Sequence, residues 1–166
     1  MDFLIFSDSH GHGERMTAAL RRQVRCPDAV IFLGDGLRDT GAIDTGNATL
    51  FAVRGNCDLF CPDPSITADL TLSFEGHRLF CTHGHLYGVK GGVGALLSHA
   101  ARQGADIVLF GHTHTPICEV IPEGSEVGGT VLPRPMYLFN PGSVGVGSFG
   151  TLMLTEKAVL LSHGKV

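Results

Sequence analysis

Five times along this chain a short apolar run breaks off into a polar segment that carries aspartate, histidine or asparagine. Phe3-Leu4-Ile5-Phe6 runs into Ser7-Asp8-Ser9-His10, and Ala29-Val30-Ile31-Phe32-Leu33 into Gly34-Asp35. Leu50-Phe51-Ala52-Val53 runs into Arg54-Gly55-Asn56-Cys57-Asp58, and Leu79-Phe80-Cys81 into Thr82-His83-Gly84-His85. The last is Ile107-Val108-Leu109-Phe110 before Gly111-His112-Thr113-His114. Short apolar runs bounded by turn residues read as buried strands. Strands of this kind constrain the fold, because five exits with the same chemistry point to one shared edge.

The rest of the chain alternates at first between strand and helix. After the first strand, His12-Gly13 opens a helix over residues 14–24, with Met16, Leu20 and Val24 on one face. A weaker helical pattern runs from Leu37 to Ile43, interrupted by Gly41. Pro62 and Pro64 mark an irregular loop, and residues 66–74 and 77–82 read as a hairpin turned at Glu75-Gly76. Residues 88–94 are glycine-rich and read as a mobile segment; Val93, Leu96, Leu97 and Ala100 then form a helical face, with Gly104 as its stop. Beyond His114, residues 117–121, 136–139, 151–155 and 157–162 read as strands with no helix between them, a β-meander. The polar Gly/Pro-rich stretch 122–135 reads as an exposed hairpin or loop. The expectation is an α/β fold: a two-sheet β-sandwich flanked by helices.

Composition narrows the class. A chain of 166 residues buries about 70% of its unfolded surface on folding, enough for a core without structural metal or disulfide. Residues 1–166 read as a single domain, with no internal repeat or low-complexity tract. The net charge of −4 and the lack of any Lys/Arg run offer no nucleic-acid surface. No apolar stretch approaches the roughly 20 residues that span a bilayer, and Met1-Asp2-Phe3 does not resemble a signal peptide. Cys26, Cys57, Cys61, Cys81 and Cys118 form no CxxC pair, and they read as reduced thiols of a cytoplasmic protein.

The side chains at the strand exits suit metal binding. Asp8, His10, Asp35, Asn56, His83, His112 and His114 are more ligands than one tetrahedral ion uses. They fit two ions sharing a carboxylate. Carboxylate, amide and imidazole without thiolate favour Mn, Fe or Zn, and two ions about 3.5–4 Å apart suit in-line displacement at phosphorus.

These blocks resemble the calcineurin-like metallophosphoesterase superfamily, and within it the small phosphodiesterases of the YfcE kind. The resemblance rests on Asp8-x-His10, Gly34-Asp35, Gly55-Asn56, His83 and Gly111-His112-x-His114 in that order, with Asn140-Pro141-Gly142-Ser143 as a later block. It implies that Asp8, His10 and His114 hold one metal, that Asn56, His83 and His112 hold the other, and that Asp35 bridges them. It also implies a bridging hydroxide as nucleophile, a small phosphoester as substrate with Asn56 and Cys57 close to the phosphate, and self-association. Mn²⁺ is the first expectation for both ions, with Fe, Zn, Ni or Mg as the others such a set accepts.

One position departs from the family. Many members follow the asparagine with a histidine that serves the leaving group; here Cys57 stands there, followed by Asp58. Cys57, Asp58 and His85 become the candidates for a proton donor, Asp58 being equally a turn or helix cap and His85 equally a packing residue. Arg54 either reaches the phosphate or pairs with a carboxylate. The competing functions are a non-catalytic scaffold of the Vps29 kind, whose lineage has lost some ligand histidines, and a phosphomonoesterase.

Overall fold

The computed structural model describes residues 1–61 and 63–166; Pro62, expected in an irregular loop, lies outside the described residues. The first sheet has the order β12-β11-β1-β2-β3, built from β1 (Asp2–Phe6), β2 (Ala29–Phe32), β3 (Thr49–Ala52), β11 (Ser148–Thr155) and β12 (Ala158–Lys165). The second has the order β4-β5-β6-β10-β7, from β4 (Asp69–Phe74), β5 (His77–Thr82), β6 (Ile107–Phe110), β7 (Ile117–Ile121) and β10 (Met136–Asn140). Between β7 and β10, β8 (Glu126–Val127) and β9 (Thr130–Val131) make a small separate hairpin.

Alternate residues of each central strand enter different layers. Phe3, Ile5 and Ile31 from the first sheet meet Leu79, Ile107, Leu109 and Phe139 from the second in one buried cluster. Their neighbours Leu4, Phe6, Val30 and Phe32 face outward against Met16 and Ala19 of α1 (Gly13–Arg21) and Leu37 of α2 (Leu37–Thr40). On the far side Phe80, Val108, Phe110 and Leu138 pack on Leu96, Ala100 and Ala101 of α3 (Gly94–Arg102). The result is the expected two-sheet sandwich flanked by helices. Burial on both faces explains why these strands read as unbroken apolar runs.

Each sheet has three consecutive parallel strands, β1-β2-β3 ending the first sheet at its β3 edge and β5-β6-β10 at the centre of the second, and the remaining strands are antiparallel. The C-terminal meander is therefore corrected. β10 and β11 lie in different sheets, and β10 runs parallel to β6, pairing Tyr137 with Ile107. A short 3-10 turn, Val144–Val146, stands between them where no helix was expected.

Two helix boundaries also differ. α1 stops at Arg21, and Val24 is wholly exposed instead of completing the apolar face; Pro27 follows too closely for another turn to form. α2 is one turn long and closes at Gly41. The turn at Glu75 (φ 51°) and Gly76 (φ 75°) is left-handed at both positions, the geometry that matches strand twist in a two-residue hairpin. In the glycine-rich stretch, consecutive turns bond Gly91 to Gly88 and Gly92 to Val89, whose side chain is buried.

Leu109 is fully buried between the sheets, so Leu109→Ala is expected to cost about 2–5 kcal/mol of stability. Val24→Ala at the exposed position should stay within about 0.5 kcal/mol. Urea titration of both variants checks the layer assignment.

Candidate metal centre

The carboxyl ends of all six parallel strands meet at one edge, which is where open parallel sheets place their ligands. Backbone hydrogen bonds tie the loops together there: Asp8 N–H donates to Gly34, His10 N–H to the Asp35 carbonyl, and Gly111 N–H to His83. The loops approach so closely that a side chain on Gly55 would run into Asp35 Oδ1, and one on Gly111 into Ser7 Oγ. Six non-glycine residues among those described have positive φ, and five are candidate ligands: Asp8, His10, Asp35, His112 and His114. Such backbone costs on the order of 1–3 kcal/mol per residue and gathers where surrounding structure enforces it for function.

Asp8 is completely buried. Its Oδ2 accepts Ser7 Oγ–H at 2.5 Å and the His112 amide at 3.1 Å. Its Oδ1 has no hydrogen-bond partner, yet His114 Nε2 stands 3.2 Å away, His10 Nε2 3.8 Å and His83 Nε2 3.9 Å. A buried carboxylate oxygen left without a donor is costly, and three converging imidazoles are what a cation would need to relieve it.

Asp35 sits at the second focus. Its Oδ1 accepts the Cys57 amide at 2.7 Å and its Oδ2 lies 3.4 Å from His83 Nε2. His83 donates Nδ1–H to the Leu33 carbonyl at 2.7 Å, which turns Nε2 toward the site, 3.1 Å from His112 Nδ1 and 3.2 Å from Asn56 Oδ1. Fixing one ring nitrogen through a backbone carbonyl is how proteins orient a ligating imidazole. The ligand atoms fall into compact groups, Asp8–His10–His114 and Asp35–His83–His112, and Asp35 also groups with His10 and Cys57. Asp35 thus stands between the two foci.

The electrostatics follow from this packing. Burial pushes Asp35 upward, but the His83 hydrogen bond and the Cys57 amide outweigh it and hold the carboxyl below the usual carboxylate range. Burial lowers His83, but Asp35 and Asp8 more than reverse this and raise it. His112 and His85 are lowered, by burial first and by His83 second. The Cys57 thiol is pushed up to about 11 by its hydrogen bond to Asp35 and then by burial, so it is a neutral neighbour and no nucleophile.

Asp58 is held in a capping arrangement. Its Oδ1 accepts the amides of Gly36 and Leu37, and its Oδ2 those of Asp35 and Gly55, all at 2.8–2.9 Å. Four backbone amides thus occupy both oxygens of this buried carboxylate. Asp58 anchors the Asp35 loop to the Gly55 loop and caps α2, the alternative its sequence context allowed. Arg54 turns from the site and donates through its guanidinium to the Asp63 carbonyl. His85 opens a single 3-10 turn with its ring 5.4 Å from that of His83.

Sequence reasoning gave no role to Asn140 and Ser143, at the exit of the sixth parallel strand. Asn140 Nδ2 donates to the Gly111 carbonyl and Thr113 Oγ1 while its Oδ1 accepts Gly142 N–H. Ser143 Oγ donates to the Asp8 carbonyl at 2.8 Å. This block therefore holds the Asp8 loop and the His112–His114 loop against each other. The signal was present, since Tyr137-Leu138-Phe139 runs into Asn140 as the other five runs do.

The model of the calcineurin-like phosphoesterase superfamily domain matches residues 1–162. The chain belongs to that superfamily. It is 31% identical over 147 residues to the probable metallophosphoesterase YsnB of Bacillus subtilis (strain 168), covering 87% of this chain and 75% of that one. It is 32% identical over 106 residues to the phosphodiesterase YfcE of Escherichia coli (strain K12), covering 61% of this chain but only 47% of that protein. Among solved structures, a conserved predicted phosphoesterase from Streptococcus pneumoniae TIGR4 superposes with a TM-score of 0.66 at 23% identity, over 99% and 97% of the two chains. Vacuolar protein sorting 29 from Cryptosporidium parvum gives 0.70 at 17% identity, over 99% and 98%. Both share the fold. No helix among the described residues is long and apolar enough to cross a membrane.

In the metal-free protein the His83–Asp35 pair contributes stability above the carboxylate range. Because His83 is raised, its contribution is full below the ordinary value of 6.5 and is lost as pH rises through the raised value. The metal-free melting temperature should therefore fall above that pH. Mn²⁺ affinity should climb over the same window as the proton on His83 ceases to compete; calorimetric titration at several pH values reads it, and a flat profile would contradict the pairing. Asn140→Ala should weaken Mn²⁺ binding by about 10–100-fold, the range for partners behind metal ligands.

Proposed function

We propose that this chain is a dinuclear-metal-dependent phosphodiesterase acting on a small phosphoester. The observation that supports this best is Asp8 Oδ1, buried, unpartnered and ringed by the imidazoles of His114, His10 and His83. The donor set fits divalent cations: Asp8, His10 and His114 would hold one ion, Asn56, His83 and His112 the other, with Asp35 shared. When bound, the two ions supply an acidified water and offset the negative charge of the phosphoryl group.

The protein's own groups do the rest. Asn56 turns Oδ1 to His83 and Nδ2 toward Cys57 Sγ, 3.3 Å away, which leaves an exposed amide donor for a phosphoryl oxygen. Cys57 fills the place beside it as a neutral side chain. None of the three candidate proton donors is poised for that work: Asp58 is sealed by amides, the Cys57 thiol holds its proton tightly, and His85 is lowered. Departure of the leaving group then depends on its own acidity. The scaffold reading draws on the shared fold with vacuolar protein sorting 29, and the convergent donor groups favour the hydrolytic reading over it.

Metal-stripped protein given Mn²⁺ is expected to hydrolyse bis(4-nitrophenyl) phosphate faster than 4-nitrophenyl phosphate. Asp35→Asn should lose more than about 100-fold, since even partners behind metal ligands are worth about 10–100-fold. Absence of turnover with any divalent ion in folded protein would sink the proposal. Across a series of diesters the rate should fall steeply as leaving-group pKa rises; a flat series would mean that a proton donor is at work.

A further inference from the structure

A groove of about 300 Å³ opens directly onto His10 and Cys57, with Arg38 from α2 and Phe60 from the loop after β3 among its lining residues. Phe60 is 79% exposed, while the other nine phenylalanines are buried or half-buried. Leaving one phenyl ring in water forgoes the burial that the other nine obtain, and this ring stands beside the candidate centre. The charges in the groove are equally selective. Asp58 spends both oxygens on backbone amides, and Asp39 turns Oδ2 to Ser9 Oγ and the Gly11 amide. Exposed Arg38 forms no ion pair among the described residues. The groove therefore offers a flat apolar ring and a cation held in no ion pair, side by side with the groups that would receive phosphorus.

Resting on the phosphodiesterase reading, we infer that this groove is the subsite for one ester group of the substrate, and that this group is planar and aromatic. The ring lies against Phe60, the phosphoryl group sits at the His10–Cys57 end, and Arg38 supplies countercharge to the anionic diester. An aliphatic ester would fill the space without using the exposed ring face, whereas an aryl or heteroaryl group gains ring–ring contact there.

The test is direct binding to the Mn²⁺-loaded protein of diphenyl phosphate and dimethyl phosphate, by calorimetry. Phe60→Ala is expected to weaken diphenyl phosphate by about tenfold, the equivalent of one ring–ring contact. Dimethyl phosphate should change by less than about twofold, well under the value of such a contact. Phe60→Tyr should retain the preference. Equal weakening of both ligands, or of neither, overturns the assignment of the groove. Arg38→Ala should weaken both by the same factor; if neither moves, the cation has no part in it. Turnover of bis(4-nitrophenyl) phosphate measured alongside separates the two failures. An active enzyme whose Phe60→Ala variant is unselective loses the aromatic subsite alone. Selective binding in a protein without metal-dependent turnover loses the phosphodiesterase reading and keeps the groove.

Discussion

Covering both faces of the central parallel strands is the constraint on which the rest depends. β1, β2 and β6 are buried almost end to end, so they cannot carry polar side chains along their length. Charged and coordinating groups are admitted only where the strands end, and parallel pairing places those ends together. Helices on the outer faces and a second sheet on the inner face thus do two things at once. They supply the apolar burial that stabilises the fold, and they confine the chemistry to a single edge.

That edge is expensive to build. Five ligand-type residues have left-handed backbone, Asp8 is wholly buried, and the loops are too close for side chains at Gly55 and Gly111. Fixed hydrogen bonds hold it. Asp58 gathers four amides from two loops, Asn140 grips the Gly111 loop, and Ser143 grips the Asp8 loop. Each uses groups already desolvated, so the bonds form in a medium where they are strong. The consequence is rigidity in the surroundings, with Asp8 Oδ1 left unpartnered at the ligand cluster itself.

The same logic separates neighbours of similar chemistry. Asp35 and Asp58 are both buried acids at the same loop junction, but one faces His83 and the other faces amides. Cys57 and His85 both border the ligands, yet each is driven toward its neutral form by what surrounds it. Residue type alone did not distinguish these roles. Contact did.

The sequence by itself determined the strands of the ligand edge, because apolar runs ending in Asp, His or Asn leave few alternatives to a doubly covered parallel strand. It also determined the seven candidate ligands, which lie within a few residues of those strand ends and move with them. Only the tertiary structure decided that β10 joins β6 in parallel and carries Asn140 to the same edge, since neither pairing direction nor sheet membership is written in a local pattern. It also decided that Asp58 is an anchor, and that Phe60 and Arg38 line one groove beside His10. Those assignments depend on which loops meet in space, and long-range contact is the one quantity that a run of residues cannot encode locally.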